Sequence, residues 1–324
     1  MGVDSQFDAT GVGDLRPARF GRGSWVPDEP LQDFLGRSTL TVTISRHPFP
    51  TENAAAGLSV LENSTESLID GLEVDSTRLG DAFQLSLTLA KSRCLLDPEA
   101  SNLSTWQAWV NAMQVGSATF VATMAREGEI RCRIAEKERV LEATGPQRYS
   151  NPGSWLTAFY LAVICREKDR LTTLCHVPVS LLRESGAPYD EFVYSWVEAL
   201  QAYWLGSPDL GAKLVAAIDG TAPQNPHISD PETTAKILYP PMEVFHRLVR
   251  ENHAGFNRAL TESIEWHKEY WSTEDNALQA TGLVALAPLA MACLAYDASF
   301  PIEVESEYLP IALLERDWPG EFPT

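Results

Sequence analysis

Two stretches constrain this sequence more than any other. They are Ser154–Cys165, SWLTAFYLAVIC, and Leu283–Tyr296, LVALAPLAMACLAY, and neither contains a charged residue. Each is shorter than the roughly 18 to 20 residues a helix needs to cross a bilayer. A helix that is apolar all round must otherwise lie inside a protein, with neighbours on every side. The chain is therefore expected to build central buried helices and to wrap them in amphipathic ones.

The wrapping helices are legible from apolar spacing. Candidate segments are 53–71, 76–95, 103–126, 153–166, 167–175, 178–184, 188–205, 208–219, 230–251, 254–271 and 283–298. The clearest is 188–205, where Tyr189, Phe192, Val193, Trp196, Leu200, Tyr203 and Trp204 form one stripe at helical spacing. Segments 230–251 and 254–271 read as a helical hairpin joined around Asn252 and His253. Between 129 and 143 the period changes. Ile130, Cys132 and Ile134 alternate with Arg131 and Arg133, which predicts a β-hairpin closed by Gly145-Pro146. Ser38–Ser45, STLTVTIS, reads as a short strand ended by His47-Pro48-Phe49-Pro50.

The expected fold is mainly α: a multi-helical array of helical hairpins with a small β-hairpin and short-strand element in the N-terminal half. Residues 1–37, punctuated by Gly and Pro, are expected to be loosely structured. Residues 38–324 are expected to form a single large α-helical domain with an acidic, irregular tail over 299–324. No fixed 34- or 40-residue repeat marks a regular solenoid.

Composition excludes some function classes. With 44 Asp and Glu against 25 Lys and Arg, the net charge is -19. Such a surface repels phosphate backbones and anionic headgroups, which argues against nucleic-acid and membrane-surface binding and suits a basic partner. Residues 1–150 carry 14 basic and 20 acidic residues, the remainder 11 and 24, so most of the excess lies after residue 150. It is densest where Asp297, Glu303, Glu305, Glu307, Glu315, Asp317 and Glu321 stand against Arg316 alone. The plain reading is a solvated face. The functional reading is a surface that steers a basic protein into contact.

The five cysteines are odd in number and form no CxxC pair, which speaks against a disulfide framework and for a reducing cytoplasm. The first twenty residues lack the apolar stretch of a secretory signal.

Catalytic motifs are missing: no GxGxxG, P-loop, GxSxG, HExxH or EF-hand loop occurs. Glu243 and His246 share a helix face, but a Glu-x-x-His metal site needs a second copy, and none is present. His267 sits on an apolar stripe and reads as a core imidazole before it reads as a general base. Cys175-His176 are adjacent in sequence, whereas a catalytic Cys and His meet in space. No catalytic, cofactor-binding or metal-binding residue is assigned. Tyr308 and Trp318, in the tail, have no helical stripe to explain them. They either pin the tail to the body or present anchors to a partner.

Particular segments carry a resemblance. SWLTAFYLAVICREKDRL (154–171), YDEFVYSWVEALQAYWL (189–205), KILYPP (236–241), AGFNRAL (254–260), HKEYW (267–271), LAPLAMACLAYD (286–297), IEVESEYLP (302–310) and WPGEF (318–322) resemble, in order, the immunity protein 49 family of bacterial polymorphic toxin systems. The likeness runs from about Trp106 to the C-terminus. It implies a mostly α-helical cytoplasmic protein that neutralises a cognate toxin domain by binding it, with no catalytic residues to carry over.

Together with the charge, the expected partner is a basic toxin domain. The residues expected to face it are Glu303, Glu305, Glu307, Tyr308, Asp317 and Trp318. Two other functions stay open on the residues alone. An enzyme that reverses a toxin's modification or acts on a small molecule would need a deep polar pocket with converging titratable groups. A helical scaffold would need a concave face with an apolar patch.

Overall fold

The computed structural model describes residues 41–225, 228–320 and 322. The segment 1–37, the first residues of the predicted strand, His227 and Glu321 lie outside the described residues.

The two uncharged stretches form the centre. Helix α4 spans Pro152–Ile164 and α12 spans Leu286–Asp297, and they pack on each other. Around them lie α1 (Ala54–Asp70), α2 (Leu79–Arg93), α3 (Leu103–Met124), α5 (Lys168–Cys175), α6 (Val179–Glu184), α7 (Glu191–Leu205), α8 (Leu210–Gly220), α9 (Pro231–Thr233), α10 (Pro240–Val249), α11 (His253–Trp271) and α13 (Ile311–Glu315). Helix α4 touches α3, α5, α7 and α12, and α12 touches α4, α10, α11 and α13. The fold is mainly α, as the periodicity predicts. Ala280–Asp297 is long and apolar enough, by length and composition, to span a membrane, but 72% of it is buried inside the protein. Only its last two-thirds is α12, the rest being a 3₁₀ turn (Ala280–Leu283) and a short extended link.

Local chemistry sets the ends of these helices. Helix α4 starts at an Asn-Pro pair: the Asn151 side chain accepts from the Ser154 N–H, and Pro152 occupies the first helical position. Its C-terminus is a Schellman motif, with Glu167 N–H bonded to the Ala162 carbonyl and Arg166 N–H to that of Val163. The left-handed residue there is Arg166, at φ 57, where glycine is usual. Close packing between α2, α3 and α4 depends on Gly116, where an added Cβ would stand 2.6 Å from the Phe83 ring.

The predicted hairpin is present as antiparallel β2 (Glu129–Ile134) and β3 (Lys137–Glu142), with Ile130 opposite Leu141. Its two-residue turn, Ala135-Glu136, has φ 51 and 64, the left-handed pair that such turns require. Arg139 fastens the hairpin to α1. It is buried and donates to the Ile134 and Ile69 carbonyls and, at 2.7 Å, to Asp70.

Two expectations are corrected. Segment 230–251 is not one helix: α9 runs into a π turn, Thr234–Leu238, and α10 begins afresh at Pro240. Pro240 and Pro241 have no N–H to continue the ladder, and the chain widens to a Tyr239 N–H bond with the Thr234 carbonyl. The tail is also more regular than expected. Val304–Ser306 forms β4, paired in parallel with β1 (Val42–Ile44), and α13 follows with Ala312, Leu313 and Leu314 buried.

Candidate functional site

The C-terminal face is built on the β1–β4 ribbon. Val304 points into the core, so by strand alternation Glu303 and Glu305 share the opposite face. Glu305 is in register with Thr43. Thr43, in turn, lines a shallow surface depression with Ser45, Glu265, Lys268 and Glu269 of α11. Glu305, Glu315 and Asp317 are exposed and Glu303 is half-buried, and none of the four makes an ion pair among the described residues. Uncompensated carboxylates in this segment project a negative field that a basic surface would feel.

Glu307 and Tyr308 are engaged inside the molecule. The Glu307 carboxylate accepts from the Arg46 guanidinium at 3.0 Å and from the Arg46 N–H at 3.2 Å. Burial works against its ionised form, but the Arg46 hydrogen bonds outweigh that and hold its pKa below the ordinary value. Tyr308 is 0% exposed, so it offers no surface to a partner. Its hydroxyl meets the His47 N–H at 2.9 Å and the His47 Nδ1 at 2.7 Å, and burial pushes its pKa up to about 12. Trp318 is half-buried and stacked on Trp106. The predicted six therefore divide: Glu303, Glu305 and Asp317 remain open to solvent to some degree, while Glu307, Tyr308 and Trp318 hold the tail to the body.

The strongest tether lay outside the sequence expectations. Arg166 donates at 2.7 Å to each of the Leu313 and Leu314 carbonyls, at 2.8 Å to that of Ile164, and pairs with Asp297 at 3.2 Å. The available signal was its position, the first charged residue after an uncharged helix.

Most of the titratable candidates are held by neighbours, although Glu243 Oε2 and His246 Nδ1 are buried without a hydrogen-bond partner among the described residues. Glu243 lies 3.6 Å from His246 and is bonded by Arg247 on the next turn. Burial works against its ionised form, but His246 and Arg247 outweigh this and keep its pKa below normal. His267 donates from Nε2 to the Gly282 carbonyl at 3.0 Å, and burial pushes its pKa down to about 3, so the ring is neutral. His176 bonds the Thr172 carbonyl rather than a thiol. All five cysteines are free, and burial pushes every thiol pKa upward, away from the thiolate that a nucleophile needs. No group of three or more potential metal ligands occurs among the described residues.

Two further spaces lie between the helices among the described residues. A polar cleft of about 280 Å³ lies between α1, α2, α3 and the hairpin turn. Several of its charges neutralise one another, with Arg93 paired to Glu62 and Arg139 and Lys137 to Asp70. An apolar cavity of about 210 Å³ lies against α4, α7 and α11.

A family model described as Immunity protein 49 fits residues 97–313, most of the chain. No curated protein and no solved structure matches it.

Proposed function

The chain belongs to the immunity protein 49 family, and from that premise we propose that it binds and neutralises a cognate toxin domain of a bacterial polymorphic toxin system. The family match carries the reading. The action is stoichiometric binding in the cytoplasm, not catalysis. The partner is a basic toxin domain, approached by the open acids of the C-terminal segment, Glu303, Glu305, Glu315 and Asp317. Support for that orientation is the net charge of -19 and the absence of an ion pair at these four carboxylates among the described residues. If the toxin is a nuclease, its substrate groove is basic, and an acidic inhibitor competes there in place of nucleic acid.

The test is co-purification with the toxin domain encoded beside this chain, at low and high salt, together with survival of cells expressing the toxin with and without this protein. A one-to-one complex that rescues growth is expected. Failure to rescue and to co-purify would overturn the reading. Charge reversal at Glu303 and Glu305 separates the electrostatic part: binding that ignores both reversal and salt would remove it and leave the immunity role standing.

A further inference from the structure

The 210 Å³ cavity has a lining that toxin binding does not explain. Its walls are apolar, with Leu156, Tyr160, Phe192, Trp196, Met242 and Val284 among them. Half-buried Gly153, Thr157, Leu286 and Ala287 also line it, so it opens toward the surface beside these residues. For scale, a dry cavity of about 150 Å³ lined by Leu, Ile and Phe accepts benzene.

Two donors set this space apart from a packing void. Lys91 lines it and is 4% exposed. Its ammonium donates at 2.9 Å to the Thr281 carbonyl and pairs with no carboxylate among the described residues. An ammonium has three donors, and a buried cation without a counter-charge is unfavourable. The indole N–H of Trp271, which lines the same cavity, is buried and has no acceptor among the described residues. Both residues converge on one turn. Lys91 bonds Thr281, and the Trp271 ring packs on Gly282, where an added Cβ would stand 2.6 Å away. The other basic groups at the cavity are occupied, since His267 is neutral and bonded to Gly282 and Lys236 pairs with Glu232 and Glu269.

We propose that this cavity binds a small apolar carboxylic acid of single-ring or short branched-chain size, its carboxylate supplying the counter-charge that Lys91 lacks. The indole N–H of Trp271 is the second donor, and the hydrocarbon part rests on Leu156, Phe192 and Met242. The inference is independent of the toxin reading, because it rests only on this cavity.

The probes are benzoate, phenylacetate and 3-methylbutanoate, titrated into the full chain and followed by tryptophan fluorescence and thermal midpoint. At least one is expected to raise the midpoint and change the emission of Trp196 and Trp271. Benzyl alcohol, with the ring but without the charge, should bind about tenfold more weakly or worse. Lys91→Met keeps the stem, removes an uncompensated buried charge and should lose the carboxylate preference by a similar factor. Ala287→Phe narrows the cavity without touching Lys91 and should weaken every probe. No response to any of the three acids overturns the proposal, as does benzyl alcohol binding equally well. Should Lys91→Met fail to fold, the acid-to-alcohol ratio and the Ala287→Phe variant decide the matter.

Discussion

The indole rings of Trp106 and Trp318 stack with their centroids 4.4 Å apart and their planes 7° from parallel. One ring belongs to the first turn of α3 and the other to the last described stretch of the chain. Trp106 also donates from its indole nitrogen to the Gly320 carbonyl at 2.8 Å. Of the two roles that the sequence left open for Trp318, pinning the tail or anchoring a partner, this geometry is that of the first: the ring clasps the tail onto the body.

Trp318→Ala should therefore lower stability. Loss of the ring pair costs about 1 kcal/mol beyond its buried area, and the lost burial adds a comparable amount. Urea denaturation and the near-ultraviolet circular dichroism of the stacked indoles measure it. Unchanged stability with weakened toxin binding would assign Trp318 to the partner instead.

Arg166→Gly separates backbone from side chain. Glycine suits the left-handed φ of 57 better than arginine does. The side chain, however, holds the Leu313 and Leu314 carbonyls and Asp297, and removing one member of such a buried set costs about 3 kcal/mol or more. Net destabilisation and faster tryptic cleavage at Arg316 are expected. Arg166→Lys should fall between the two, because an ammonium cannot reproduce the planar fork. A glycine variant as protease-resistant as the parent would show that the clamp is dispensable.

Glu307 and Glu305 should behave differently although they are neighbours in the same acidic run. Glu307→Gln removes the charge that Arg46 pairs with and should cost about 1 kcal/mol, reduced by screening because the carboxylate is 44% exposed. Glu305→Gln should leave stability within about 0.5 kcal/mol and act only on partner association. Parallel urea melts and association-rate measurements distinguish the two; equal loss of stability would contradict the assignment.

His267 gives the fold a pH signature. Burial pushes its pKa from the ordinary 6.5 down to about 3. Between those values the unfolded chain takes up a proton that the folded chain refuses. Stability is therefore complete above pH 6.5 and declines toward pH 3, by at most about 1.4 kcal/mol per pH unit from this group. His47, its pKa lowered first by burial and then by Arg46, acts in the same direction. His267→Gln keeps a donor for the Gly282 carbonyl and removes the titration, so its urea midpoint should fall less between pH 7 and pH 5. An undiminished slope in the variant would rule His267 out as its source.

The hairpin turn can be improved. Ala135 and Glu136 both adopt left-handed φ, which L side chains reach at a cost of about 1 to 2 kcal/mol each. Replacing the pair by Asn-Gly should raise the thermal midpoint, with a gain of about 1 kcal/mol after loss of the exposed Gln107–Glu136 hydrogen bond. Calorimetry measures it, and a lower midpoint would mean that the turn residues serve contacts beyond their backbone shape.

Much of this molecule was decided locally. Helices α4 and α12 are mostly buried, because a helix whose apolar residues run all round it gains by having neighbours on most sides. The stripe from Phe192 to Leu200 dictated α7, and the two-residue alternation from Ile130 to Ile134 dictated β2, because helical and strand periods differ and each leaves its own mark. The family resemblance was likewise legible, carried by long segments in order. The π turn before Pro240 was not, since apolar spacing continues across the prolines and only the missing N–H groups redirect the hydrogen bonds.

What only the tertiary structure decided were the meetings of residues far apart in the chain. Strand β1 falls inside the strand expected over Ser38–Ser45, but its partner β4 is three residues, too short to show a period, and the parallel pairing of the two exists only in the fold. Glu307 reads as one more surface acid until Arg46, from the other end of the chain, is found beside it. Lys91 reads as an ordinary helix lysine until the 3₁₀ turn at Thr281 folds over its ammonium. Charge and periodicity belong to a sequence, but burial and pairing come into being only when distant segments close on each other, and pairing is what separates the acids that hold this fold together from those left open to a partner.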